Sequence, residues 1–225
     1  PGVEVFGVTN RQFTGAYAQY AAASVGMTSA RPARLSDIEA ASIPVVAVTA
    51  QQALFEQAKL IEGQTVLVHG AAGNVGAYAI QMARHAGLRV IATANARDFE
   101  AVRGLGAQDV IDYRAVRFED DVSGIDAVID LVGGEVQARS FAVLRPGGIL
   151  VSAVSKPDQD AATRHGVRAL FFLVNVTTAH LARIAGDDAL LRQGRVQKDG
   201  VRHYRCAQDA RRYQYTLRPG KLRHE

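Results

Sequence analysis

From Thr65 onward the chain alternates between two patterns of apolar residues. Short runs such as "TVLV", "LRVIATA", "IDAVIDLVG" and "GGILVSAV" are mostly apolar, as strands buried on both faces must be, and "DVIDY" reads as a shorter strand of the same series. Between them the period changes. In "NVGAYAIQMARHAG" residues Val75, Ala79, Met82, Ala83 and Ala86 recur at helical spacing, Arg84 and His85 fall in the last turn, and Gly87 supplies the stop. "ARDFEAVRGLGA" and "EVQARSFAVLR" read as further helices, and after the apolar run "VRALFFLV" another is predicted from Thr177, a natural N-cap, to Ala185. Strands alternating with short helices predict an α/β fold with a doubly wound parallel sheet, of Rossmann type, over residues 45–185.

Residues 1–44 read differently. "EVFGVT" alternates like a half-exposed strand, and Ser36 is placed to cap a short helix in "LSDIEAASIP". Pro44 then begins "VVAVTAQQALFEQA", a helix linking this part to the sheet. The first 44 residues are expected to be the remnant of a mainly β domain. The chain opens with Pro1 and enters directly on strand-like alternation, which suggests a piece of a longer protein.

Composition changes this picture in one respect. Of the 225 residues 48% are hydrophobic and 21% charged, as in globular proteins, yet the net charge is +4. Ten basic residues against three acidic ones from Arg192 to Glu225 give that stretch +7, which leaves −3 on residues 1–191. The basicity belongs to residues 186–225, expected to be a disordered or atypical tail and not a specific nucleic-acid site. A tail of this kind attracts polyanions without sequence preference, and its plain alternative is a solvated chain end. The single Cys206 builds neither a disulfide nor a multi-cysteine metal site. No apolar run is long enough to cross a membrane and no export signal is visible, so a cytoplasmic location is expected.

The stretch with chemical content is "GAAGNVG", between the first sheet strand and its helix. Gly73 and Gly76 fill the second and third places of the dinucleotide fingerprint, while Ala71 stands at the first. Gly73 lets the backbone approach a pyrophosphate, Gly76 lets helix and strand lie close, and the helix N-terminus offers free N–H groups. The alternative is a tight packing turn with no ligand. The next strand ends in "IATANARD", where a NAD site carries an acidic residue for the ribose 2′-hydroxyl. Here Asn95 is neutral and Arg97 follows, a combination suited to the 2′-phosphate of NADP(H). Arg97 can also be read as an exposed cation at a helix start. Other chemistries lack their motifs: no tyrosine has a lysine four residues on, and there is no Gly-x-Ser-x-Gly elbow and no Gly-Lys-Ser/Thr loop.

"VLVHGAAGNVGAYAIQMARHAG", "LGAQDVIDY", "DAVIDLVGGE", "LRPGGILVS" and the preceding "PVVAVTAQQALF" together resemble the medium-chain dehydrogenase/reductase superfamily, in its zinc-independent quinone oxidoreductase (zeta-crystallin-like) branch. The resemblance covers about residues 2–185. It implies hydride transfer from NADPH to a quinone or an α,β-unsaturated carbonyl. It also implies a GroES-like β domain before the sheet, and dimers that pair sheet edges. By matching positions, Ala72, Gly73, Asn74 and Val75 would cradle the pyrophosphate, and Asn95, Arg97 and Tyr113 would face the 2′-phosphate. Val132 and Gly133 would line the ribose channel, the main chain from Phe172 to Val174 would bind the carboxamide, and Thr49 would stand near the nicotinamide. Thr49 has a plainer reading as a helix-interior hydroxyl bonded to the preceding turn. Val45 occupies the position where zinc-dependent relatives carry a cysteine ligand, so no metal is expected. Two functional readings follow, an NADPH-dependent reductase and a non-catalytic NADPH-binding module. They differ only in whether an acceptor is reduced.

Overall fold

Apolar residues on both faces of a strand require a layer on each side, and the fold supplies them. The structure, a computed structural model, describes residues 2–16 and 18–187. The basic stretch from residue 188 on, with Cys206, lies outside the described residues. Two short strands, β1 (Val5–Gly7) and β2 (Thr28–Ala30), form an antiparallel pair. Helix α1 (Asp37–Ser42) follows, held by a capping box in which Ser36 Oγ accepts from Glu39 N–H and the Glu39 side chain accepts from Ser36 N–H. Helix α2 (Pro44–Gln51) starts on proline, as expected at a first helical position.

Six strands then form one parallel sheet: β3 (Thr65–Val68), β4 (Arg89–Ala94), β5 (Asp109–Asp112), β6 (Ile125–Asp130), β7 (Leu144–Ser152) and β8 (Arg168–Phe171). Their spatial order is β5-β4-β3-β6-β7-β8, with β3 and β6 side by side at the centre. The chain leaves β3 in one direction and returns to β6 from the other, so a crevice opens between their C-terminal ends. Helices α3 (Asn74–His85), α4 (Phe99–Gly104), α5 (Phe118–Asp121), α6 (Gly134–Arg139), α7 (Gln159–Arg164) and α8 (Thr178–Gly186) flank the sheet. The doubly wound parallel sheet expected from the alternating pattern is therefore present.

The strand residues divide between two buried clusters. Val66, Val68, Val90, Ala92 and Val151 face α2, α3 and α8, whose Val48, Ile80 and Leu181 join the same cluster. Leu67, Ile91, Val128 and Leu150 face the other way, toward Phe118 and Phe141. Phe6, Leu35 and Ile43 from the N-terminal part share the first cluster. The last helix is tied to that part as well. The Thr178 hydroxyl lies 2.9 Å from Val25 O and 2.7 Å from Thr28 O, and Arg34 Nη2 donates to Ala185 O at 3.2 Å.

Two local features depart from a plain helix. The end of α3 closes as expected on Gly87, at φ +73°, with Gly87 N–H donating to Arg84 O and Leu88 N–H to Ala83 O. The linking helix is not α-helical throughout. After Gln51 it widens into a π-helical segment, Gln52–Gln57, with Ala58 N–H donating to Ala53 O five residues back. Side chains of this segment are bonded to the stretch that leads into α8. Gln52 Nε2 donates to Asn175 O (3.3 Å) and to Glu56 (3.2 Å), Gln52 Oε1 accepts from Asn175 N–H (3.1 Å), and Glu56 meets His180 Nε2 at 2.9 Å.

Candidate functional site

The crevice between β3 and β6 is rimmed by the loops that follow the strands. After β3 the chain turns at Gly70 (φ +71°), and Gly73 N–H donates back to Gly70 O at 3.0 Å. Gly73 is the N-cap of α3 and carries no side chain to occupy the first-turn donors, so an anion can take them. Gly73 and Asn74 are exposed, while Ala72 and Val75 are half-buried. Gly76 is the contact between helix and loop: a Cβ there would lie 2.4 Å from Gly70 O and 2.7 Å from Ala71 Cα. Only glycine permits that approach, which keeps the start of α3 directly under the loop.

The loop after β6 stands against this turn. A Cβ on Gly70 would come within 3.3 Å of Val132 Cγ2. Val132 is half exposed, and Gly133 holds φ +79°, a left-handed conformation that favours glycine. Val132 therefore stands beside the glycine turn, with Gly133 next to it in the same loop.

At the end of β4, Asn95 Oδ1 accepts from Arg97 N–H at 3.1 Å and so caps the short turn that carries the arginine. The Arg97 guanidinium is mostly exposed and lies 3.5 Å from the Asp98 carboxylate. Tyr113 N–H donates to Ala94 O at 3.4 Å, which brings the exposed Tyr113 ring to the same strand end. Arg114 lies 5.8 Å from that ring's centroid. Asn95, Arg97 and Tyr113 thus gather at one corner. Asp98 is close enough to Arg97 to compete with an anion for it.

On the other side of the crevice the chain leaves β8 through Phe172, whose N–H donates to Ser152 O at 3.1 Å. Phe172 and Val174 turn toward the core and Leu173 is exposed. Thr49, in α2, is buried, and its hydroxyl donates to Val45 O at 2.7 Å. Its proton is engaged by its own helix, so the plainer reading describes its hydrogen bonding and leaves the oxygen only as an acceptor.

Two buried polar centres behind the rim have no counterpart in the motif reading. His69, fully buried, approaches Thr93 Oγ1 through Nδ1 (2.9 Å) and Ser140 Oγ through Nε2 (3.0 Å). The Ser140 hydroxyl donates to Val136 O, so it accepts from His69 Nε2–H, and Nδ1 accepts from Thr93. Burial pushes the imidazole down to about 4 from 6.5, only partly opposed by the charge of Asp130. The second centre is Asp130 itself, whose carboxylate is wholly buried at the end of β6. An acid inside the apolar run "DAVIDLVG" was the sequence signal for it, but its partners lie too far along the chain to be named from spacing.

The residues present fit a dinucleotide. The glycine turn admits backbone approach, the helix start is uncapped by any side chain, and a cationic corner stands at the next strand end. Among the described residues no group of three or more His, Cys, Asp or Glu could hold a metal ion. No helix among them is long and apolar enough to cross a membrane.

A sequence profile of the zinc-binding dehydrogenase family matches residues 74–183, a stretch without cysteine. The chain is 34% identical over 213 residues to the spectinabilin polyketide synthase system protein NorB of Streptomyces orinoci, an alignment covering 90% of this chain and 10% of that protein. It is 41% identical over 118 residues to the chloroplastic quinone-oxidoreductase homolog of Spinacia oleracea, covering 50% of this chain and 36% of that one. Among solved structures, the quinone oxidoreductase from Coxiella burnetii superposes with a TM-score of 0.79 at 32% identity, over 86% of this chain and 62% of that chain. The chain spans only part of each of these proteins.

Proposed function

The chain belongs to the medium-chain dehydrogenase/reductase superfamily, in its quinone-oxidoreductase-like branch, and from that premise we propose an NADPH-dependent, zinc-independent reductase of a quinone or an α,β-unsaturated carbonyl. The observation that carries the reading is the glycine turn at Gly70–Gly76, packed against Val132 at the central crevice of the sheet. NADPH, when bound, supplies the hydride. The chain's own residues bind, orient and shield.

In this reading the N–H groups of Asn74 and Val75 hold the pyrophosphate, with Ala72 and Gly73 giving the backbone its close approach, in the positive field at the start of α3. Asn95, Arg97 and Tyr113 bind the 2′-phosphate, Val132 and Gly133 cover the ribose, and the main chain from Phe172 to Val174 orients the carboxamide. Thr49, with its proton given to Val45 O, orients and does not donate a proton. Val45, where a zinc relative has cysteine, keeps that side of the site apolar. The protein's contribution to rate is then proximity and the exclusion of water. The partner is a small-molecule acceptor, and pairing of sheet edges in a homodimer belongs to the same proposal.

The test is a fluorescence titration of the folded chain with NADPH and with NADH. NADPH is expected to bind at least about tenfold more tightly, roughly 1.4 kcal/mol, the scale of one charge-assisted hydrogen bond. Arg97→Ala is expected to remove most of that preference and to leave NADH affinity nearly unchanged. Equal affinity of the unaltered chain for both cofactors would remove the 2′-phosphate assignment. Binding followed by no turnover of any quinone or enone would leave the chain a cofactor-binding module.

A further inference from the structure

We propose that Asp130 is a positioning residue for the cofactor, fixing the two loops that form the far wall of the crevice; the inference rests on the cofactor reading above. A buried carboxylate is costly unless every lone pair is used, and this one is fully employed. Asp130 Oδ1 accepts from the N–H groups of Val132 (3.0 Å) and Gly133 (2.8 Å). Oδ2 accepts from Gln137 Nε2 (2.8 Å) and from the Ser152 hydroxyl (2.8 Å). The Ser152 oxygen in turn accepts from the N–H groups of Val154 and Ser155, both at 3.2 Å. The second hydrogen of Gln137 Nε2 points to Ser155, with O at 3.2 Å and Oγ at 3.1 Å.

The direction of these bonds matters more than their number. They converge on the loop after β6 and on the loop after β7, both at the C-terminal rim of the sheet. One carboxylate therefore sets the position of Val132 and Gly133 relative to the glycine turn, and ties them to the neighbouring loop. The tolerance is small. A Cβ on Gly133 would stand 3.1 Å from Ser155 Oγ and 3.3 Å from Val154 Cγ2, so the two loops are already in contact. A loop held at left-handed glycine and pinned by charge-assisted hydrogen bonds is pre-organised for a ligand and does not pay for ordering when one binds.

The same strand provides its own control. Asp126, at the opposite end of β6, also carries a well-bonded carboxylate, with Thr65 N–H at 2.8 Å, Gln64 Nε2 at 3.2 Å and Arg145 Nε at 2.7 Å. Those bonds fasten the N-terminal edge of the sheet and touch neither rim loop.

The experiment is a titration of the full chain with NADPH for the unaltered protein, Asp130→Asn, Ser152→Ala and Asp126→Asn, with amide hydrogen exchange read at Val132 and Gly133 without cofactor. Asp130→Asn keeps the size but replaces one acceptor by a donor that faces other donors. It is expected to weaken NADPH about tenfold or more and to speed exchange at both amides. Ser152→Ala is expected to weaken binding about threefold, and Asp126→Asn to change it less than twofold, even if it lowers the melting temperature as much. Asp130→Asn within twofold of the unaltered chain, or Asp126→Asn weakening NADPH equally, overturns the inference while the cofactor reading stands. Should Asp130→Asn not fold, unaltered affinity and exchange in Ser152→Ala overturn it. No NADPH binding by the unaltered folded chain overturns the cofactor reading and this inference together.

Discussion

Gly76→Ala is expected to cost the fold on the order of 1–3 kcal/mol and to lower NADPH affinity at least about a hundredfold. The methyl carbon would arrive 2.4 Å from Gly70 O and 2.7 Å from Ala71 Cα and O, all backbone atoms. No flexible side chain can give way, so the start of α3 and the glycine turn must separate. Each charge-assisted hydrogen bond to a phosphate contributes roughly 1.5–3 kcal/mol, and displacing the turn removes more than one of them. Gly73→Ala is the comparison. Its Cβ would meet only Gly70 O, at 3.2 Å, so the stability loss is expected to be smaller. Thermal denaturation with NADPH titration checks both, and a Gly76→Ala chain with unaltered melting and affinity would sink the close-packing argument.

Acid is expected to weaken the fold through His69, by about 3 kcal/mol between pH 6.5 and 4. In the folded chain the ring stays neutral down to about 4, because burial disfavours its charge. In the unfolded chain it takes a proton near 6.5. The unfolded state therefore binds more protons within this window, and stability falls as pH drops from 6.5 through 4, levelling off below. The groups that bear on the ring are Asp130, Arg139 and Glu119, of which the two carboxylates partly offset the burial. Glu119 and Asp126 are held below the usual carboxylate range, by arginine and backbone partners against their own burial, so their loss sets in at lower pH. Chemical denaturation at pH 7, 6, 5 and 4.5, for the unaltered chain and for His69→Gln, separates the two effects. The variant is expected to be less stable at pH 7 and to lose less on acidification. A difference between the two that does not vary with pH would rule out the neutral buried ring.

How much of this could be read in the sequence depended on the range of the interactions. The inner strands of the sheet were legible because burial on both faces leaves runs that are mostly apolar. The two ends of α3 were legible because Gly73, Gly76 and Gly87 act within one turn of themselves. Thr49 was legible for the same reason, since its partner is Val45. The π-helical segment was not. Nothing in "VVAVTAQQALFEQA" marks where the helix widens, and the segment's side-chain partners, Asn175 and His180, are more than a hundred residues away. The partners of His69 could not be named from spacing, because Thr93 and Ser140 lie 24 and 71 residues further on. The rim residues Val132, Gly133, Phe172 and Val174 came only through family resemblance. The network at Asp130 needed the fold itself, because Ser152 reaches it from the next strand.

The bonds from Thr178 to Val25 and Thr28, and from Arg34 to Ala185, join segments about 150 residues apart. Loop-closure entropy grows only logarithmically, so spanning such a distance costs roughly 0.6 kcal/mol more than spanning half of it. The penalty falls on folding time. Neighbouring units such as β3-α3-β4 can assemble early from local contacts, whereas this seam waits until the whole sheet between its two sides is in place. By that argument it is expected to close last on folding and to open first on unfolding.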